Sequence, residues 1–391
     1  MNQTSSWESA YRGKTVLVTG HTGFKGAWLS EWLLELGANV VGAALPPNTE
    51  PALFDQVGLA TRTQHHILDI RNHSGVIDLM LDSQPDYVFH LAAQPLVRLS
   101  YAEPVGTYET NVMGTVHVLE GLRRLNEAYQ AKPGRTCAAV MVTTDKCYAN
   151  REWLHGYREE DPLGGYDPYS SSKAAAELAI ASYRQSFLRT SWPGLEPRVA
   201  VASARAGNVI GGGDWALDRI VPDAMRHIER GDILRVRNPH ATRPWQHVLE
   251  PLGGYLLLAW RLAGALLQAD HAALEYLGSP FNFGPALSSN RPVSALVNEV
   301  LRHWPGEWES TAEESAPHEA GKLNLVWDKA FHLLDWSPRW DFEETVARTV
   351  RWYRACSEGR GARLLLIDDL NEYRNSGGGL RTAASGVMAA D

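Results

Sequence analysis

Residues 16–26 read Val16-Leu17-Val18-Thr19-Gly20-His21-Thr22-Gly23-Phe24-Lys25-Gly26. An apolar run ends there in glycines that recur every third residue, and a helix-like stretch follows. Gly20 allows a sharp turn off a strand, Gly23 allows backbone amides to approach a phosphate group, and Gly26 allows a helix to pack closely on a sheet. The stretch therefore predicts a strand, a phosphate-binding turn and a helix whose N-terminus faces the anion.

The first half of the chain alternates short apolar runs with amphipathic stretches, which is the pattern of βαβ units. Apolar runs without polar alternation predict strands that are buried on both faces. The predicted strands are residues 15–19, 39–45, 87–92 and 138–143, and the predicted helices are residues 26–36 and 112–126. The sequence thus predicts an α/β fold built on a Rossmann-type, doubly wound parallel sheet.

The alternation of apolar runs and amphipathic stretches ends after about Ser203. Gly211-Gly212-Gly213, several prolines and many tryptophans predict loops and short helices there. We interpret this part as a smaller substrate-binding region. The predicted domains are residues 1–203, the dinucleotide-binding unit, and residues 204–374, mainly substrate-binding with some segments returning to the first unit. Residues 375–391, rich in Gly, Ser and Ala, predict a disordered tail.

Composition narrows the functional classes. The formal net charge of −8 disfavours a nucleic-acid surface and an anionic membrane. The three cysteines are widely separated, so they predict neither a disulfide framework nor a metal or redox motif, and the histidines form no metal-binding motif. The start of the chain lacks a signal-peptide pattern, and the apolar stretch 252–269 contains Arg261 and predicts a buried helix. We expect a cytoplasmic protein without a metal.

The residues leave the choice of dinucleotide open. A P-loop is excluded, because Gly13-Lys14-Thr15 precedes the first strand and Glu8 stands where the upstream glycine is needed. The second strand ends in Gly42-Ala43-Ala44-Leu45, without an acidic residue for a ribose or an arginine for a 2′-phosphate. Asp69-Ile70, after the third apolar run, is placed to contact adenine.

A second motif, Gly165-Tyr166-Asp167-Pro168-Tyr169-Ser170-Ser171-Ser172-Lys173, opens an Ala-rich helix. Tyr169 and Lys173 are four residues apart and share one helical face. An ammonium and an oxidised nicotinamide both favour the phenolate, which can take a hydroxyl proton while hydride leaves the same carbon. A surface tyrosine beside a solvated lysine is the alternative that this spacing leaves open.

A third motif, Thr143-Thr144-Asp145-Lys146-Cys147-Tyr148, follows a predicted strand at the end where parallel sheets bind ligands. Polar residues in that position are often only a solvated strand end. Oxidation needs only Tyr169 and Lys173, however. Asp145 and Lys146 at the same rim therefore indicate a second proton transfer.

Together these motifs resemble the extended short-chain dehydrogenase/reductase superfamily and, within it, the CDP-glucose 4,6-dehydratase family. Related dTDP- and GDP-sugar dehydratases generally carry Glu where this chain has Lys146. The resemblance covers nearly the whole chain and extends to residues 19–29, His90-Leu91-Ala92-Ala93-Gln94, Asn111-Val112-Met113-Gly114-Thr115, residues 144–148, residues 164–169, residues 205–215 and Trp336-Ser337-Pro338.

The resemblance implies a role for each matching residue. Thr144 would orient the C4 hydroxyl, Tyr169 would be the base for C4 oxidation, and Lys173 would lower its pKa and hold the nicotinamide ribose. Lys146 would take the C5 proton and Asp145 would protonate the leaving C6 hydroxyl. NAD would contact Gly20, Thr22, Gly23, Phe24, Lys25, Gly26, Asp69, Ile70, Leu91, Ala92, Ala93, Asn111, Tyr169 and Lys173. The nucleotide sugar would contact Gln94, Asn208, Arg219 and Arg243. Apart from the resemblance, Trp215 and Trp245 are candidates to bound its pocket, with core packing, the more frequent use of tryptophan, as the alternative.

The resemblance implies CDP-glucose as substrate, NAD as cofactor, and a homodimer or dimer of dimers built through paired helices. Two alternatives stay open at this point. A nucleotide-sugar 4-epimerase or another extended short-chain reductase would share the glycine turn and Tyr169/Lys173 but would not need Asp145 and Lys146. A non-catalytic dinucleotide sensor would have no need of the Tyr169/Lys173 pair.

Overall fold

A computed structural model describes residues 6–188, 196–311 and 322–376. The strands are β1 Thr15–Thr19, β2 Asn39–Ala44, β3 Gln64–Ile67, β4 Tyr87–His90, β5 Cys137–Val142, β6 Val199–Ala206, β7 Val209–Ile210, β8 Leu234–Val236, β9 Thr242–Pro244, β10 Gln246–His247, β11 Pro280–Phe283, β12 Asn290–Pro292 and β13 Trp308–Ser310.

The helices are α1 Ser6–Ser9, α2 Phe24–Glu35, α3 Leu53–Gln56, α4 His73–Ser83, α5 Val97–Ala102, α6 Pro104–Tyr108, α7 Gly114–Gln130, α8 Pro168–Phe187, α9 Ile220–Arg230, α10 Leu249–Leu267, α11 His271–Leu277, α12 Val293–His303, α13 Asp328–Leu334, α14 Phe342–Ser357 and α15 Ala362–Asn375. A π-helical segment, Glu109–Met113, leads into α7, and a 3-10 turn, Asp145–Cys147, follows β5. Each strand named from the sequence is present, with ends that differ from the prediction by at most two residues.

The central sheet has seven strands in the order β11-β6-β5-β4-β1-β2-β3, and every neighbouring pair is parallel. Val16 of β1 pairs with Val40 of β2 on one side and with Tyr87 of β4 on the other. The strand order therefore reverses between β1 and β4. In such sheets the loops at the carboxyl ends of these strands part and leave a crevice for a ligand.

Helices cover both faces of the sheet, as its apolar strands require. Successive side chains of β1 point to opposite faces: Leu17 packs towards the α4 and α7 side, whereas Val16 and Val18 pack towards α2 and α10. Burying one such side chain stabilises the fold by about 1.5–3 kcal/mol. The predicted Rossmann-type doubly wound parallel sheet is confirmed.

The expectation of loops and short helices after Ser203 is wrong for much of that region. Helix α10 has 19 residues, α14 has 16 and α15 has 14. The glycine triplet lies before α10, but of the ten prolines after Ser203 only Pro222, Pro239 and Pro244 precede that helix. Several of the tryptophans are core residues, such as Trp352 within α14 and Trp340 just before it. The tryptophan density therefore reflects helix packing and not irregular structure.

The predicted boundary after Ser203 falls inside β6, which continues to Ala206. Beyond it the chain returns twice to the first unit: α10 packs on β5 and β6, and β11 pairs with β6 at the edge of the sheet. The sheet is completed by residues 280–283, a returning segment of the kind for which the predicted division allowed. Of the predicted tail, Asn375 ends α15, and residues 377–391 lie outside the described part of the chain.

Glu250, fully buried in the first turn of α10, connects that helix to the C-terminal segment. Its carboxylate accepts hydrogen bonds from the backbone N–H groups of Arg339 (3.0 Å) and Trp340 (2.8 Å) and from the Tyr373 hydroxyl (2.9 Å). Burial nevertheless raises the pKa of Glu250 to about 7. The segment that directly follows the Trp336-Ser337-Pro338 motif is thus held onto α10 by one buried acid.

None of the helices in the described ranges combines the length and the apolar character needed to cross a membrane.

Candidate active site

The glycine turn after β1 has the geometry that its sequence requires. Gly20 has φ of +76°, in the left-handed region that favours glycine, and a Cβ there would lie 2.7 Å from the backbone nitrogen of Ala92. A Cβ on Gly26 would lie 2.1 Å from the carbonyl oxygen of Gly20. Any side chain at Gly26 would therefore separate α2 from the turn.

The same turn forms a cradle that fits a dinucleotide pyrophosphate. Gly23 is the N-cap of α2, and no side chain caps the first turn of the helix. The amide groups of that turn are left to an external acceptor, and the helix dipole favours an anion there. A side chain on Gly23, which is exposed, would stand over these amides. Thr22 lies at the same turn and donates its hydroxyl to the carbonyl of Leu45 at 2.8 Å.

At the end of β2, where many dinucleotide sites have a carboxylate, a histidine pair is found. His21 Nε2 lies 2.7 Å from His65 Nδ1, and a Cβ on Gly42 would lie 2.3 Å from the His21 ring. Burial lowers the pKa of His21 to about 4, so the buried ring is neutral. Asp69, predicted to contact adenine, is ion-paired with Arg71 at 2.6 Å.

Several other residues that were predicted to contact the cofactor lie close to the carboxyl ends of β1 and β4. Leu91, Ala92 and Ala93 follow β4, and Ala92 packs directly against Gly20. Asn111 is buried and donates to the Gln94 carbonyl (3.1 Å) and to the Ser172 hydroxyl (2.9 Å). It therefore connects the loop after β4 to α8. Ile70 is buried against α7.

Tyr169 and Lys173 lie in the first two turns of α8, and both are buried. Asp167 caps this helix by accepting the N–H of Ser170 at 2.9 Å, and Pro168 occupies the first helical position. Lys173 Nζ lies 3.4 Å from the carbonyl oxygen of Val142 at the end of β5. The alternative of a surface tyrosine beside a solvated lysine is therefore wrong.

Burial dominates the ionisation of this pair. It raises the pKa of Tyr169 to about 12, against an opposing hydrogen bond with Thr144, and lowers the pKa of Lys173 to about 8. The protein alone therefore keeps the phenol neutral. Forming the phenolate at neutral pH requires further positive charge beside Tyr169.

Thr144 and Asp145 lie side by side in the 3-10 turn that follows β5. Thr144 Oγ1 lies 3.0 Å from Asp145 Oδ1 and 3.3 Å from the backbone nitrogen of Lys146. Asp145 is almost fully buried, and this burial raises its pKa although Lys146 and Thr144 oppose the shift. Its carboxyl packs against Gly207, where a Cβ would lie 2.6 Å from Oδ2. A protonated Asp145 can donate a proton, as a general acid must.

The predicted substrate residues occupy different surroundings. Arg219 pairs with Asp214 at 2.8 Å and interacts electrostatically with Tyr169, and Arg243 interacts with Asp145. Asn208 is exposed at the end of β6. These three residues thus adjoin the catalytic cluster or its rim.

Gln94 differs, because the protein itself uses its side-chain amide. Its Nε2 donates to the Leu96 carbonyl (3.1 Å) and to the Thr107 hydroxyl (3.0 Å), and its Oε1 accepts from the Leu96 N–H. The two tryptophans also pack within the protein. Trp245 is buried with its Nε1 donating to the Arg291 carbonyl, and Trp215 packs edge-on against Tyr353.

A buried ion pair beneath the cluster was not predicted from the sequence. Glu177, one turn after Lys173, accepts from Arg205 (2.9 Å), Ser203 (2.8 Å) and Thr143. Burial raises the pKa of Glu177, but Arg205 and the hydroxyl donors hold it below its usual value. A carboxylate among the alanines of α8 was the available signal.

Arg205 extends this support to the catalytic turn. Its Nη1 donates to the Tyr148 hydroxyl at 2.8 Å, and that hydroxyl donates to Asn282 of β11 at 2.7 Å. The guanidinium also lies 4.9 Å from the centre of the Tyr148 ring. The end of the Thr144–Tyr148 motif is therefore fixed to β6 and β11 together.

Comparison with known proteins agrees with this geometry. A sequence profile described as GDP-mannose 4,6 dehydratase matches residues 17–259. The chain is 44% identical over 368 residues to the CDP-glucose 4,6-dehydratase of Salmonella typhimurium, covering 94% of this chain and 98% of that protein.

Solved structures show the same fold at lower identity. A dTDP-glucose 4,6-dehydratase from Bacillus anthracis, solved in complex with NAD, superimposes with a TM-score of 0.67 at 20% identity, covering 88% of this chain and 98% of the other. A UDP-glucose 4-epimerase from Thermotoga maritima, solved with UDP-glucose, gives a TM-score of 0.69 at 20% identity, covering 88% of this chain and 99% of the other.

The family profile spans more than half of the chain, and the Salmonella relative matches nearly all of it. The predicted resemblance is confirmed: the chain belongs to the GDP-mannose 4,6-dehydratase family of nucleotide-sugar dehydratases, in which its near full-length relative is a CDP-glucose 4,6-dehydratase.

Proposed function

We propose that this chain converts CDP-glucose into CDP-4-keto-6-deoxyglucose and water, with NAD as a cofactor that is regenerated in each cycle. The observation that carries the proposal is the burial of Thr144, Asp145, Tyr169 and Lys173 together at the carboxyl ends of the sheet. The identity to the Salmonella CDP-glucose enzyme supports the choice of nucleotide. The glycine cradle supports a dinucleotide cofactor.

In the first step, Tyr169 takes the proton of the C4 hydroxyl while Thr144 holds that hydroxyl. NAD held at the glycine turn would supply the acceptor for the C4 hydride, the hydride for C6, and the positive charge that a buried phenolate needs. Lys173 adds a second positive charge on the same side of the sheet. These residues account for oxidation of C4 to a ketone.

The ketone makes the C5 proton acidic, because the resulting carbanion is stabilised as an enolate. Lys146, in its neutral form, removes that proton, and Asp145 gives its proton to the C6 hydroxyl, which leaves as water. Lys146 then returns a proton to C5 as hydride arrives at C6. The sum is loss of one water without net oxidation.

The test is incubation with CDP-glucose and NAD in deuterated water, followed by NMR and mass spectrometry of the sugar. The expected product is a 4-keto-6-deoxy sugar with deuterium at C5. Epimerisation at C4 without C5 exchange, or binding without turnover, would contradict the proposal.

A variant isolates the second half of the reaction. Lys146→Ala is expected to abolish C5 exchange and to reduce product formation by about 10²-fold or more, because a general base contributes on that scale. Lys14→Ala is the matched control, since Lys14 is half-exposed at the opposite end of β1. Normal C5 exchange in Lys146→Ala would rule out the base role.

We further propose that the enzyme is a cytoplasmic homodimer or dimer of dimers, and that its product enters deoxysugar biosynthesis for surface polysaccharides such as O-antigen. The family likeness supports these assignments. Sedimentation equilibrium of the purified chain tests the assembly.

A further inference from the structure

His90, the last residue of β4, is buried between two hydroxyl groups and takes no part in the proposed proton transfers. Its Nδ1 lies 2.7 Å from Oγ1 of Thr19, at the end of β1, and its Nε2 lies 3.1 Å from Oγ1 of Thr115, in the first turn of α7. All three residues are almost fully buried. The ring therefore connects β1 to α7 through hydrogen bonds to both of its nitrogens.

The hydrogen bonds determine which nitrogen of His90 carries the proton. The hydroxyl of Thr115 donates its single hydrogen to the carbonyl oxygen of Asn111 at 2.7 Å, so it must accept from Nε2 of His90. Burial lowers the pKa of His90 to about 3, and the charge of Lys173 acts in the same direction, so the ring is neutral. Its Nδ1 then has no hydrogen and accepts from the hydroxyl of Thr19. His90 is thus the Nε2–H tautomer.

The series of hydrogen bonds continues on both sides of the ring. The hydroxyl of Thr19 accepts the N–H of Ala92 at 3.3 Å. The side-chain amide of Asn111 donates to Ser172 Oγ at 2.9 Å, and Ser172 Oγ donates to the carbonyl oxygen of Tyr169 at 2.7 Å. Every donor faces the same way along this His90 chain, which consists of Ala92, Thr19, His90, Thr115, Asn111, Ser172 and Tyr169.

The two ends of the His90 chain lie at the two groups that the proposed C4 oxidation requires, and in this respect the inference rests on the proposed function. Ala92 packs against Gly20 in the dinucleotide turn, and Tyr169 is the base. The N–H of Tyr169 also donates to Ser100 Oγ at 3.1 Å, so side chains hold this residue at both of its backbone polar groups. Hydride leaves C4 while the proton leaves its hydroxyl, so the hydride acceptor and the base must be held at a fixed separation.

We propose that His90 is a positioning residue for C4 oxidation: its neutral ring completes the chain that fixes Tyr169 relative to the dinucleotide turn. It acts through the backbone of Tyr169 and not on the substrate. A doubly protonated ring would donate from both nitrogens, which would reverse the hydrogen bond with Thr19, and would place a second cation near Lys173. The position of Tyr169 therefore depends on one tautomer of one buried histidine.

Thr115→Val interrupts the His90 chain with almost no change of shape. C4 oxidation, followed as the absorbance of NADH in a single turnover with CDP-glucose, is expected to slow by about tenfold, because a buried hydrogen bond is lost from the support of Tyr169. The dissociation constants of CDP-glucose and NAD, measured by calorimetry, should stay at the wild-type values. Thr349→Val is the matched control and should oxidise at the wild-type rate. The hydroxyl of Thr349 likewise donates to a carbonyl of its own helix, that of Thr345 in α14 at 2.8 Å, and this threonine is equally buried.

Variants of His90 and nitrogen NMR test the ring itself. His90→Gln places an amide near the position of Nε2 and can donate to Thr115, whereas His90→Phe keeps a ring without a polar atom. Oxidation should therefore be faster in His90→Gln than in His90→Phe. In the wild-type chain with isotope-labelled histidine, the signal that disappears in His90→Gln should be that of a neutral Nε2–H ring.

Three outcomes would overturn the role of His90. A neutral Nδ1–H ring or a charged ring would contradict the direction of the chain. Wild-type oxidation in Thr115→Val, or equal slowing in Thr115→Val and Thr349→Val, would remove its connection to Tyr169. Failure of the proposed function appears as absence of the 4-keto-6-deoxy product from the wild-type chain, whereas failure of this inference appears in the NMR signal or in the comparison of the two valine variants.

Discussion

Gly207→Ala tests whether the placement of Asp145 matters for the elimination step. A Cβ at this position would lie 2.6 Å from Asp145 Oδ2 and 3.2 Å from Pro244 Cγ, whereas ordinary contacts begin at 3.4 Å. Pro244 blocks movement on one side, so the Asp145 carboxyl must retreat by about 0.8 Å. A displacement of about 1 Å in an active site can cost ~10²-fold in rate. We expect product formation to fall by about 10- to 100-fold.

The assay separates the two half-reactions. The atoms nearest to a Cβ at Gly207 belong to Asp145 and Pro244 and not to Tyr169, Thr144 or Lys173, and Thr144 contacts the other carboxyl oxygen, Oδ1. A single turnover with CDP-glucose should therefore still produce the absorbance of NADH at a rate close to that of the wild type. Loss of water should then be slow, and the reduced cofactor should accumulate. Gly264→Ala is the control, because nothing lies within 4 Å of a Cβ there. Wild-type dehydration by Gly207→Ala, or loss of both steps together, would refute the reasoning.

Two further predictions concern buried acids. Glu177→Gln leaves Arg205 buried without its counterion and should lower the free energy of unfolding by about 3–5 kcal/mol in urea titrations. The control Glu309→Gln breaks an exposed ion pair and should lower it by less than about 1 kcal/mol. Equal losses in the two variants would contradict the stabilising role of the buried pair. Glu250 has a pKa of about 7 in the folded protein, above its ordinary value. Its contribution to the free energy of unfolding is therefore full below about pH 4.5 and is lost as the pH rises through 7. Between pH 4.5 and pH 7 the wild type should therefore lose roughly 3 kcal/mol more unfolding free energy than Glu250→Gln, as measured by melting curves recorded across that range. The same pH dependence of stability in both proteins would contradict the raised pKa of Glu250.

The features that were predictable from the sequence are those that short-range spacing encodes. The glycines of residues 20–26 and the pair Tyr169/Lys173 lie within one turn or one helix, so their geometry follows from local sequence. Asp145 was recognisable because it directly follows an apolar strand. Gln94 is different, because its amide is hydrogen-bonded to neighbours that no spacing rule identifies. Its contact with the nucleotide sugar stays a prediction.

The features that were not predicted depend on distant pairings. His21, in the turn after β1, contacts His65 of β3. Glu177 of α8 forms an ion pair with Arg205 of β6. The return of residues 280–283 to the sheet depends on a strand of four residues, which is too short to give a distinct pattern. The abundance of tryptophan after Ser203 was taken as a sign of irregular structure, and this led to the wrong prediction of loops and short helices. Several of these tryptophans instead lie in the core.

The position of β11 at the edge of the sheet determines the order in which this chain can fold during synthesis. Strand β6 is synthesised by residue 206, but in the described part of the chain its outer edge pairs with residues 280–283. Until then the edge of the nascent sheet has unpaired backbone N–H and C=O groups. The face that α10 covers in the folded protein is also exposed to water. A gene fragment that stops near residue 206 would thus encode an aggregation-prone product and not an autonomous cofactor-binding module. Recombination between relatives must accordingly exchange the segment through residue 283 as one piece.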